Sequence, residues 1–89
     1  MKSTHIFQTQ RINQACEDKE FYTEIIKALG KYLLCDWGDT SRDDKRLNDL
    51  ALKTGYGRTV AKYITSKGDI FIISESNLPV TTIMFADEY

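Results

Sequence analysis

Arg58-Thr59-Val60-Ala61-Lys62-Tyr63-Ile64-Thr65, then Ser66-Lys67-Gly68-Asp69, then Ile70-Phe71-Ile72-Ile73 is the stretch that decides the fold. Val60, Lys62 and Ile64 alternate with Ala61 and Tyr63, a period of two in a β-branched and aromatic run, which predicts a strand. The tetrad after it supplies turn chemistry, so a hairpin is expected. Ile70 to Ile73 are apolar on both faces, which places the second strand centrally under a helix layer. Ser76-Asn77-Leu78-Pro79 predicts a further turn, and Val80 to Phe85 completes a meander before the polar end Asp87-Glu88-Tyr89.

Upstream of the hairpin the period becomes helical. Leu47, Leu50, Ala51 and Thr54 mark a helix stopped by Gly55 and Gly57. Thr40 or Ser41, with Asp43 or Asp44 three residues on, resembles a capping box with aspartate in place of glutamate. Tyr22, Ile25, Ile26, Leu29, Tyr32 and Leu33 mark an earlier helix ending near Cys35, before Gly38. Gly30 weakens it by about 1 kcal/mol relative to alanine. Glu17-Asp18-Lys19 is a polar break, before which Thr9 caps a short helix through Ile12, Ala15 and Cys16. Thr4 to Gln8 is rich in strand formers. The expected fold is therefore α+β: a short N-terminal strand, three helices, then a three-stranded antiparallel meander with the helices packed on one sheet face. One small domain over residues 1–89 is expected.

Composition narrows the function classes. The chain has 89 residues, 42% hydrophobic and 28% charged, with a formal net charge of -1. Those fractions suit an ordinary globular protein, and the charge leaves no electrostatic footprint for phosphates. No run approaches the roughly 20 apolar residues of a membrane span, and the first residues lack a signal-peptide core. A cytoplasmic protein without membrane contact is expected. Cys16 and Cys35 fit no zinc or redox spacing and are read as free thiols, small buried hydrophobes in a reducing compartment.

No nucleophile with a base, metal spacing or phosphate loop is legible, so neither catalysis nor a cofactor is expected. Asp36, Asp39, Asp43 and Asp44 are hard-cation ligands by type, but the glycine and closing glutamate of a calcium loop do not fall at the needed offsets. Carboxylates at a helix start also complement its dipole, and that is the reading taken, with no metal. Trp37 stands in a polar, glycine-broken corner as either a core plug or a contact anchor. Asn48, one turn after Asp44, is read as an amide tying that corner to the helix. Lys53, Arg58, Lys62 and Lys67 with Tyr56 and Tyr63 make a modest basic and aromatic strip, able to hold a single strand or simply a solvated sheet face.

Taken in order, Asp36-Trp37-Gly38-Asp39, Asp44, Asn48-Asp49, Ala51-Leu52, Gly57-Arg58, Ala61, Tyr63, Ile72-Ile73, Glu75, Thr81-Thr82-Ile83 and Glu88-Tyr89 resemble a family of small proteins met on bacterial plasmids, conjugative elements and phages, sometimes labelled plasmid-related protein. The similarity runs from about Leu33 to Tyr89. Ser76-Asn77-Leu78-Pro79 departs from an Asp-Arg-Ser type of turn, and Ala86 stands where proline is usual. The resemblance supplies a genomic setting and no activity. By analogy it implies a non-enzymatic, protein-binding accessory protein of a mobile element, such as a counter-defence (anti-CRISPR or anti-restriction) factor. Such a factor acts by occlusion through an acidic surface of Asp36, Trp37, Asp39, Asp43, Asp44 and Asp49 on a host or defence-system protein. The alternative is a nucleic-acid-binding module using Tyr56, Arg58, Lys62 and Tyr63. Monomer and homodimer both remain open.

Overall fold

A computed structural model describes residues 5–75 and 80–89. Thr4, expected in the first strand, and the expected turn at 76–79 lie outside the described residues. The elements run β1 (His5–Gln8), α1 (Gln10–Ala15), α2 (Lys19–Leu33), α3 (Arg42–Thr54), β2 (Arg58–Thr65), β3 (Gly68–Glu75) and β4 (Val80–Phe85), with a closing 3-10 turn over Ala86–Glu88. The α+β class and the three helices are as expected. The sheet is not an antiparallel meander alone: it has four strands in the order β1-β4-β3-β2, and β1 pairs parallel with β4. A first strand returning through three helices can reach that edge in parallel, because the connection is long enough to cross over. β3 is central, as its two-sided apolarity predicts.

One face of the sheet carries Ala61 and Tyr63 from β2, Ile70 and Ile72 from β3, and Ile83 and Phe85 from β4, all buried. Ile12 of α1 and Phe21, Ile25, Ala28 and Tyr32 of α2 close over it, with Phe21 stacked on Phe85 at 5.7 Å between centroids. Each such fully buried Ile or Phe contributes about 1.5–3 kcal/mol. The buried stripe of α2 is thus displaced from the expected one, for Tyr22, Ile26 and Leu33 are roughly half exposed. Asp18 caps the helix, accepting from the Glu20 and Phe21 N–H groups, and Phe21, Ile25, Ala28 and Tyr32 at three- and four-residue spacing form the stripe that packs on the sheet. Glu24 then accepts from the Ser66 N–H and hydroxyl, fastening α2 to the β2–β3 turn.

At the other end of α2 the Tyr32 hydroxyl donates to Ser74 Oγ at 2.7 Å and bonds Thr59 Oγ1. Ser74 is in turn 2.7 Å from Thr81 Oγ1. Thr59, Ser74 and Thr81 form one register row across β2, β3 and β4, so a buried hydroxyl ladder locks the strands to the helix.

Candidate functional site

The Trp37 corner is built by the end of α2. Cys35 adopts φ 62°, and the Asp36 N–H returns to the Lys31 carbonyl at 2.9 Å, turning the chain back over the core. Asp36 Oδ1 accepts from the Gly38 N–H at 3.1 Å. Gly38 has φ 62°, and a Cβ there would lie 2.5 Å from a Tyr63 ring carbon, so glycine is required on two counts. Trp37 is only 5% exposed. Its ring meets Tyr32 edge-on at 5.4 Å, and Nε1 donates to Asp49 Oδ1 of α3 at 2.9 Å. The core-plug reading holds, and Trp37 is not available as a surface anchor.

From Gly38 to Thr40 the corner runs beside β2 and occupies its outer edge. The Asp39 N–H donates to the Lys62 carbonyl at 2.9 Å, and the Lys62 N–H donates to Thr40 Oγ1 at 2.9 Å. Asp39 Oδ2 accepts from the Ile64 N–H at 3.2 Å. Asn48, buried on α3, completes the cover: its Nδ2 donates to the Val60 carbonyl and its Oδ1 accepts from the Val60 N–H, both at 3.0 Å. Asn48 therefore ties the helix to the strand and not to the corner; Asp49, through Trp37, makes the corner bond. An edge strand left bare pairs with other chains, and this polar set is what covers it.

That assignment changes the acidic surface. Asp36, Asp39 and Asp49 are exposed but hold backbone or indole N–H groups. Asp43 and Asp44, in the first turn of α3 after the Ser41 cap, are exposed, and among the described residues no hydrogen bond or ion pair engages their carboxylates. Among the described residues no group of three His, Cys, Asp or Glu side chains is placed to hold a metal. No described helix is long and apolar enough to cross a membrane.

The basic and aromatic strip divides. Tyr63 points into the core and donates to the Asp36 carbonyl at 2.8 Å; burial, aided by the Asp36 charge, pushes its hydroxyl pKa well up. It cannot stack on a ligand. Tyr56 is 80% exposed in the loop after α3, whereas Arg58 and Lys62 stand on the sheet face opposite the helices. There the C-terminal Tyr89, unremarked in the sequence for this role, packs edge-on against Phe71 at 5.2 Å and accepts a hydrogen bond from Arg58. The turn that delivers it is held by Glu88, which accepts from the Phe85 N–H and the Thr9 hydroxyl, and by Asp87 on Arg11.

The second feature missed from the sequence is the outer side of α3. Only Asn48 of this helix is buried; Leu47 and Leu50, neighbours on the side away from it, are 58% and 52% exposed. The signal was present in the run from Arg42 to Asp49, charged or polar throughout except for Leu47, which leaves no stripe wide enough for a core. No family model, no curated protein and no solved structure matches this chain.

Proposed function

We infer that the protein works by binding another protein through the exposed side of α3, and not by catalysis. The carrying observation is that α3 presents Leu47 and Leu50, neighbours on one side of the helix, to solvent while a single asparagine fastens it to the sheet. A helix offering apolar residues within a charged border suits insertion into a groove on a partner. Asp43 and Asp44 at its N-terminus add a negative end that steers toward a basic surface. In the setting the resemblance implies, the partner is a host or defence-system protein whose basic, nucleic-acid-handling groove is occluded by this helix.

Affinity capture from the natural host with wild type, Leu47→Glu/Leu50→Glu and Asp43→Lys/Asp44→Lys tests the reading. A partner retained by the wild type should be lost with the first pair and should bind the second far more weakly at low salt, all three chains having the same melting temperature. A partner indifferent to both pairs removes α3 as the contact. A second reading, nucleic acid on the open sheet face, draws on Arg58 and Lys62 beside Phe71 and Tyr89. Asp69 and Glu75 share that face and offset the charge. A low-salt gel shift with single-stranded and duplex probes decides it, and no shift ends it.

A further inference from the structure

The two edges of the sheet are finished differently. On β2, Asn48, Thr40 and Asp39 cover the outward N–H groups of Val60, Lys62 and Ile64 and the carbonyls of Val60 and Lys62. On β1, the bond from the Thr9 N–H to the Ile83 carbonyl and the Gln8–Ile83 register fix how the backbone faces. His5, Phe7 and Thr9 direct their groups at β4, so the N–H and C=O groups of Ile6 and Gln8 point away from the sheet. Among the described residues nothing covers them. Residues 5–8 also contain no lysine, proline or aspartate, and their register is unbroken by a bulge, so the usual devices that blunt an edge are missing.

We propose that β1 pairs antiparallel with β1 of a second copy of this chain, about a two-fold axis through Phe7. The register follows from the geometry. Ile6 and Gln8 are symmetric about Phe7, so Ile6 of each copy exchanges both main-chain bonds with Gln8 of the other. Phe7 falls at the non-hydrogen-bonded position, where facing Cα atoms are about 4.5 Å apart and side chains are closest. It is 56% exposed on the open face, and the pairing sets it against its own symmetry mate. An unrelated strand can form the same main-chain ladder, but a copy of β1 also supplies the aromatic pair, and no Asp, Glu, Lys or Arg from 5 to 9 meets its like across the axis. A four-residue edge buries less than the roughly 1,200 Å² of a stable interface, so the dimer is weak, with a dissociation constant on the order of 0.1 mM. Because α3 lies at the opposite edge, this pairing is independent of the α3 reading and leaves two α3 faces at the outer ends.

Sedimentation equilibrium of the full chain from about 10 µM to about 1 mM should show a monomer–dimer equilibrium. Ile6→Pro deletes an outward N–H while keeping every bond to β4, and should weaken association about tenfold or more. Under mild oxidation Phe7→Cys should form a disulfide between position 7 of both copies, the facing Cα distance lying within disulfide reach, and should do so much faster than the exposed control Tyr56→Cys. A monomer at all concentrations, or cross-linking at position 7 no faster than at position 56, overturns the proposal; if Ile6→Pro fails to fold, the cross-linking comparison decides alone.

Discussion

Cys35 is the one non-glycine residue with positive φ among those described, at 62°, where the chain leaves α2. The left-handed region costs an L-residue about 1–2 kcal/mol, and glycine returns about 0.5–1 kcal/mol of that through its looser unfolded chain. Cys35→Gly should therefore stabilise by about 0.5 kcal/mol and raise the melting temperature by about 2–4 °C in calorimetry. At Tyr63 the argument runs through protons. Burial raises its folded pKa above the unfolded value near 10, so its contribution is complete below about pH 10 and is lost as pH rises toward the folded value. Tyr63→Phe should cost about 1 kcal/mol at pH 7 for the bond to the Asp36 carbonyl, yet show a shallower loss of stability above pH ~10 in urea titrations. Neither position was legible in advance. Cysteine's usual burial predicts a small hydrophobe at Cys35, which is exposed, and at Tyr63 a period of two does not say which of the two strand faces is inside.

The α3–β2 junction rests on Asn48. Asn48→Leu leaves the Val60 N–H and C=O without their partner and lays the edge bare, an expected loss of about 2–4 kcal/mol measured by urea unfolding, with concentration-dependent aggregation on storage. The sequence makes the amide structural, and it is, but its target is the strand. Spacing on a helix says which residues are neighbours on its surface and nothing about which other element arrives there. For α2, Asp18 is the cap, and the Glu20 and Phe21 N–H groups hold its carboxyl pKa below the ordinary value. That contribution is present above the unfolded value near 3.9 and fades as pH falls through the lowered one. Asp18→Ala should thus lower stability at pH 7, with the gap to wild type in urea titrations narrowing as pH falls below the ordinary carboxylate range if both remain folded.

Across the molecule, the proposed α3 contact and the core lie on different surfaces. Because Leu47 and Leu50 face solvent, replacing both with lysine should change unfolding free energy by no more than about 0.5 kcal/mol per site, whereas core leucines lose 2–5 kcal/mol on truncation to alanine. Thermal melts of the double variant check this, and a large loss would mean α3 packs inward. Residues 36–49 build a corner and guard an edge, and aspartate, tryptophan, glycine and asparagine each have a part in that. Local signals, meaning period, cap and turn chemistry, determined by themselves the helices, the three C-terminal strands and the α+β class, since each depends on bonds between near neighbours in the chain. Only the tertiary structure decided the parallel seat of β1, the inward face of β2, the burial of Trp37 and the outward leucines of α3. Those depend on which distant backbone groups need partners, and hydrogen-bond satisfaction across the sheet is settled only when every element is in place.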